Sequence, residues 1–357
     1  MAAGLKIFRI VKGAVMMGQK PLKNTDTTFS TESAVERKPR RDDRNRGRQA
    51  DKPSQIPKRG WRDILLRVKE EQNKNNVSII AAGVAFYSLL AIIPTLAAMI
   101  SIYGLVFDPA GIQQQLSFLQ NILPAEAYQL LQSQLNRLVS SSGGALGLGL
   151  IIGLLLSIWS AAKGMKALMI ALNIAYDETE SRNFLKVNGL ALLLTFGGII
   201  FMLLSLALIA ALPAIYGMLG LPDSIQTALS ISKWPVLAIL IMVAVSVLYR
   251  YAPDRDQPQF RWISWGAAGA TLLWIAASLL FSFYASNFGS FNKTYGSMGA
   301  IIILLMWFFL TAYAVLMGAE LNAEMERQTK KDTTRGEPEP MGQRGAHAAD
   351  TVGRTPE

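Results

Sequence analysis

The sequence predicts an all-α polytopic membrane protein, a six-transmembrane-helix bundle with amphipathic interfacial and periplasmic helices. Two observations carry this. The chain of 357 residues is 51% hydrophobic, yet its mean hydropathy is only +0.28, because long apolar runs are set between polar ends. There are six such runs, at residues 78–107, 145–177, 187–212, 234–249, 263–283 and 298–319. They run from 16 to 33 residues, around or above the roughly 20 that an α-helix needs to cross a hydrocarbon core of about 30 Å.

The distribution of charge orients the bundle. With the amino terminus inside, the inner connections carry two basic residues (Arg182, Lys186) and three (Arg250, Arg255, Arg261), while each outer connection carries one. That is the positive-inside pattern. It predicts a multi-pass membrane protein with both termini in the cytoplasm.

Composition also removes several chemistries. The chain has no cysteine and one histidine, His347, so thiolate nucleophiles, disulfides and His-based metal or triad chemistry have no residues to use. No catalytic residue, metal site or cofactor is assigned from the sequence, and no enzymatic activity is expected.

Taken in order, residues 5–15 place Ile7, Ile10, Val11 and Ala14 on one helical face against Lys6, Arg9 and Lys12, the pattern of a short basic surface helix. Residues 1–76 hold 19 Lys and Arg against 9 Asp and Glu, which equals the whole net charge of +10. Residues 1–59 therefore read as a basic cytoplasmic arm, disordered from about 20 to 59. Its partners are expected to be membrane lipids with anionic headgroups, not a specific nucleic acid, since no aromatics for base stacking are interleaved. From Trp61, the spacing of Trp61, Ile64, Leu65 and Val68 predicts an interfacial helix. In the first span Pro94 removes an amide and predicts a kink facing protein or a cavity. Residues 108–144 predict a periplasmic cap of two amphipathic helices. Asp223 and Lys233 are placed in a connection before the fourth span. Gly266 with Ala270, and Gly296 with Ala300, predict close helix packing. Residues 60–325 form the membrane domain and 326–357 a disordered cytoplasmic tail.

The second run, 145–177, is the informative one, because it carries Lys163 and Lys166. As one helix it is roughly 48 Å long, about 18 Å more than the hydrocarbon core. If the surplus lies at its carboxyl end, both lysines snorkel to headgroups. If it lies at the amino end, Lys166 sits near mid-membrane, where an ionisable group is a functional candidate. In that case Lys163 or Lys166 is expected to face Glu320 of the sixth span, with Arg250 rimming the same polar cavity as a substrate-binding group.

Four segments carry a family resemblance: AFYSLLAIIP (85–94), WSAAKGMKALMIALNIAY (159–176), LYRYAPDRDQPQFRW (248–262) and YGSMGAIIILLMWFF with LMGAELNAE (295–324). Together they resemble the YihY/BrkB family of six-span bacterial inner-membrane proteins, over about residues 61–325. The resemblance implies transport more than enzymology. Members have been labelled ribonuclease BN, which this sequence does not support for want of metal ligands, and others are linked to serum resistance and to movement of lipid A or phospholipid. The expected function is a transporter or flippase-like protein for an anionic amphipathic substrate such as a phospholipid or lipid A precursor. The alternative is a non-transporting envelope scaffold that holds anionic lipid through its basic arm. A homo-oligomer is left open.

Overall fold

The computed structural model describes residues 41–106, 132, 146–211, 222–287 and 297–356. Residues 1–40 with the amphipathic segment 5–15, the cap at 108–144 apart from residue 132, and Gly296 lie outside them. Among the described residues the fold is helical, with a single isolated bridge between Pro258 and Thr334. The helices are α1 (Arg41–Asn45), α2 (Lys58–Lys74), α3 (Val77–Val106), α4 (Leu146–Ala175), α5 (Phe184–Leu206), α6 (Asp223–Tyr251), α7 (Phe260–Asn287), α8 (Ser297–Glu326) and α9 (His347–Asp350). Six of these, α3 to α8, are long and apolar enough to cross a membrane.

The helix ends follow local chemistry. Asn76 joins α2 to α3 with φ 50, a left-handed conformation that asparagine tolerates better than most residues. Asp177 ends α4 in the same way with φ 56; its amide donates to the Ile174 carbonyl at 3.1 Å, and that of Glu178 to the Asn173 carbonyl at 2.8 Å. This is a Schellman arrangement, which satisfies carbonyls that the helix end would leave open. The Asn183 side chain caps α5 by accepting from the Lys186 amide at 2.9 Å.

Two boundaries differ from the expectation, those of the fourth and sixth spans. Helix α6 starts at Asp223 and runs through Pro235, so Asp223 and Lys233 are helical and not part of a connection. Helix α8 continues past Ala319 to Glu326, because its terminal carboxylates are neutralised by arginines from other elements. Helix α3 passes through Pro94 without interruption; near it the Thr95 hydroxyl donates to the Ala91 carbonyl at 2.7 Å.

Helices α3, α4, α7 and α8 form the centre of the bundle, with α3 packed along α4 and α8, and α7 along α8. Their shared core is rich in alanine, including Ala81, Ala162, Ala171, Ala267, Ala270 and Ala319. Lipid offers no hydrophobic drive between helices, so small residues that allow close backbone approach supply the packing. The expected contact through Gly266 and Ala270 is present, and it is made to Gly318 on α8. At the edge, only 17% of the α5 span and 11% of the α6 span are buried inside the protein, so these two helices mainly face the surroundings.

The arm and the tail require a correction. Residues 41–59 and 327–356 are folded against each other at one end of the bundle, termed here the basal end. Arg48 donates to the carbonyls of Arg327 at 3.3 Å and Gly353 at 2.6 Å, and Lys330 pairs with Asp43 at 2.9 Å. Ala50 and Ile56 pack with Ile64, Trp262 and Met325 in a second small core. Composition alone read these segments as disordered. Their charges instead find carbonyl and carboxylate partners across about 280 residues of sequence, a pairing that composition cannot express.

Candidate functional site

The last turns of α8 read AELNAEME and place Glu320, Asn322, Glu324 and Glu326 near a helix carboxyl end, where the helix dipole disfavours negative charge. All four are buried. Such residues require compensation, and the fold brings it from three directions.

Glu326 is met by Arg255 of the α6–α7 loop, with Nη2 to Oε2 at 2.6 Å and Nη1 to Oε1 at 3.2 Å, and both side chains are 0% exposed. The Thr333 hydroxyl of the tail donates to the same carboxylate at 2.7 Å. The Arg255 guanidinium lies 4.9 Å from the centre of the Tyr176 ring. Burial opposes the charge on Arg255, but Glu326 outweighs it and holds the guanidinium above its ordinary value. Burial also raises the Tyr176 phenol, with Arg255 working in the opposite sense.

Glu324 pairs with Arg67 of α2, whose Nη2 also donates to the Glu324 carbonyl at 3.1 Å and to the Gln328 side chain at 2.7 Å. Arg327 closes the other side of that carboxylate at 2.7 Å. Asn322 accepts from the Gly266 amide at 2.9 Å and donates to the Tyr176 hydroxyl at 3.3 Å, so it ties α8 to α7 and to the end of α4.

Glu320 is different. Its carboxylate accepts from the Asn75 side chain at 3.0 Å, and among the described residues no cation lies within ion-pair distance of it. A carboxylate 1% exposed inside a membrane-length helix thus has an amide as its partner and not a charge.

A second network locks the two basal loops. Asp254 accepts from the Ser181 amide and hydroxyl, each at 2.6 Å, and its own amide donates to the Asn173 side chain at 2.7 Å. Burial pushes its carboxyl up, but the two Ser181 bonds outweigh that and hold it below the ordinary aspartate value. Arg182 pairs with Glu180 at 2.6 Å and donates to the Ala252 carbonyl at 2.9 Å. Burial raises the Glu178 carboxyl, against the pull of the His347 amide bonded to it at 2.8 Å.

The residues singled out from sequence are not brought together. Lys163 is exposed, on the outward stripe of α4 with Ile152, Leu156, Trp159 and Ile170. Its neighbours Ala161, Ala162 and Gly164 take the buried face, where close helix approach leaves no room for a lysine. The Lys166 ammonium lies 6.0 Å from the Trp159 ring and 5.8 Å from the Phe184 ring at the start of α5. Among the described residues neither lysine makes an ion pair with Glu320. Arg250 is engaged elsewhere, by Phe260 and Gln257. It is 3% exposed, stacked 4.1 Å from the Phe260 ring and bonded to Gln257 at 3.2 Å. The residues that sequence reasoning missed are Arg67, Asn75, Tyr176, Arg255, Asn322 and Glu326. A signal existed: three glutamates at the end of an apolar helix demand arginines from elsewhere. Among the described residues no three His, Asp or Glu side chains converge in a way that could hold a metal ion.

Comparison with known proteins gives this architecture a context. Residues 68–343 match the family model described as virulence factor BrkB. The ribonuclease-like protein YfkH of Bacillus subtilis is 31% identical over 256 residues, covering 70% of this chain and 90% of that protein. A UPF0761 membrane protein of Idiomarina loihiensis is 28% identical over 71% of this chain and 87% of its own length. A second, from Photobacterium profundum, is 26% identical over 76% of this chain and 82% of its own. No solved structure matches.

Proposed function

Because this chain belongs to the virulence factor BrkB family, whose relatives include membrane proteins, we propose that it is a transporter or flippase-like protein of a bacterial inner membrane. Its substrate is an anionic amphipathic molecule such as a phospholipid or lipid A precursor, and the basal end with both termini faces the cytoplasm. The excess of Arg and Lys on the basal connections supports that orientation. A reporter at position 142 is expected to read periplasmic and one at Asp256 cytoplasmic; the reverse pattern would invert the assignment.

The observation that carries the transport reading is Glu320. A carboxylate buried in a spanning helix without a cation is expensive to keep, and such groups mark ion or proton pathways. Glu320 exchanges its proton as the basal end opens and closes, and Asn75, at the joint of α2 and α3, senses the change through their shared hydrogen bond. In proteoliposomes, movement of a labelled anionic lipid under a proton gradient is expected to fall at least about tenfold in Glu320→Gln, because the amide keeps the Asn75 bond but cannot ionise. Gradient-driven movement at the wild-type rate in that variant would remove Glu320 from the mechanism. If the wild-type protein moved no lipid at all, transport itself would fail. The scaffold reading would then take its place, favoured by the folded arm and tail that give the basal end an ordered surface.

A further inference from the structure

Helix α2 buries Gly60, Asp63, Ile64, Arg67 and Val68 and turns its other face outward. On that face lies an open groove of 510 Å³ lined by Lys58, Trp61, Arg62, Leu65 and Leu66. Leu65 is 58% exposed and Leu66 39%, so the groove joins two basic side chains to an uncovered apolar floor.

Three observations say what covers it. The first is charge. At the basal end Arg46, Arg48, Arg67, Arg182, Arg255 and Arg344 all hold internal carboxylates or carbonyls. Lys58 and Arg62, one helical turn apart, are exposed and make no such bond among the described residues. The second is position. Trp61 sits against Trp265 of α7 with ring centres 5.6 Å apart, and paired tryptophans belong where hydrocarbon meets headgroups. The third is continuity. Trp265, Leu272, Ala276, Leu279 and Phe283 are exposed at spacings of 7, 4, 3 and 4, which puts them on one stripe of α7 running from the groove along the whole span.

We propose that this junction of α2 and α7 is a binding site for an anionic phospholipid of the adjoining leaflet. The phosphate lies between Lys58 and Arg62, the glycerol region on Leu65 and Leu66, and an acyl chain along the α7 stripe. A soluble phosphate would use the two cations and leave the leucines uncovered, whereas a lipid covers both. The site is independent of transport, since it is defined by equilibrium binding and lies on the outer surface of the protein, away from Glu320.

The absence of native cysteine makes the test clean. Full-length protein with Leu65→Cys, labelled with a fluorophore, is placed in phosphatidylcholine vesicles holding a minor fraction of brominated lipid, either phosphatidylglycerol or phosphatidylcholine. Phosphatidylglycerol is expected to quench the probe more strongly at equal fraction. Lys58→Glu with Arg62→Glu should erase the preference. Each basic residue near an anionic surface contributes about a fivefold factor, so the affinity ratio should fall at least about tenfold. Both residues are exposed, so the double variant should keep its melting temperature, and Lys186→Glu, an exposed base on another helix, should keep the preference. Equal quenching by the two lipids, a preference that survives in the double variant, or an equal loss in Lys186→Glu would each overturn the site. Protection from both quenchers would also overturn it and assign the groove to a protein contact.

Discussion

Arg255→Leu is expected to cost about 3 to 5 kcal/mol of stability, because it leaves Glu326 charged and buried with no cation. Both side chains of the pair are 0% exposed, so solvent cannot replace the guanidinium. The loss should also reach the tail, since Thr333 shares the Glu326 carboxylate and its neighbour Gln259 holds the Thr333 carbonyl at 2.9 Å. Arg255→Lys should fall between, keeping a charge but losing the two-point geometry and the stacking on Tyr176. The double variant Arg255→Leu, Glu326→Leu is the decisive control. Removing both partners abolishes the uncompensated charge, so it should recover most of the loss. Denaturant or thermal unfolding in detergent micelles measures all three. A single variant within about 1 kcal/mol of wild type would show that water reaches Glu326.

Gly266→Ala should be nearly as damaging by a purely steric route. A methyl group there would sit 2.2 Å from the Asn322 side-chain oxygen and 2.3 Å from the Gly318 carbonyl oxygen. The Gly318 carbonyl is backbone and cannot be moved by rotating a side chain, so α7 and α8 must separate. That separation breaks the Gly266 to Asn322 bond and with it the tie to Tyr176. Overpacking of this kind costs about 1 to 3 kcal/mol, and the lost buried hydrogen bond adds about 1 kcal/mol. Gly197→Ala on α5 is the matched control, since nothing lies within 4 Å of its new methyl. It should melt at the wild-type temperature or slightly higher, because alanine favours the helix. Equal melting temperatures for the two variants would mean that the α7–α8 contact yields without cost.

The bundle itself was legible because its signal is local. An apolar run of spanning length has one stable solution in lipid, a helix, since every backbone amide and carbonyl must be satisfied within the segment. The helix at Trp61 was legible for a similar reason, but its faces were not: Leu65, expected beside Ile64 and Val68, is exposed, and Arg67 is buried. The site was legible only in part. Glu320 stood out as a charge at the end of the sixth apolar run, and the structure does bury it. Its partner could not be read, because Asn75 lies 245 residues away and is not charged. The lysines misled for the opposite reason. A charge within a span invites a search for its opposite, yet Lys163 satisfies itself on the outward face and Lys166 among aromatic rings.

By itself, then, the sequence determined the six spanning helices, the small-residue contact at Gly266 and Ala270 and the bias of basic residues toward one end, since each depends on residues within a few turns of one another. Only the tertiary structure decided that residues 41–59 and the tail fold together, and that Arg255 and Arg67 are the cations serving Glu326 and Glu324. The physical reason is that hydrophobic burial acts on any apolar surface and leaves a periodic trace. A buried ion pair acts between two particular atoms at about 3 Å, and any arginine in the chain could have supplied the charge.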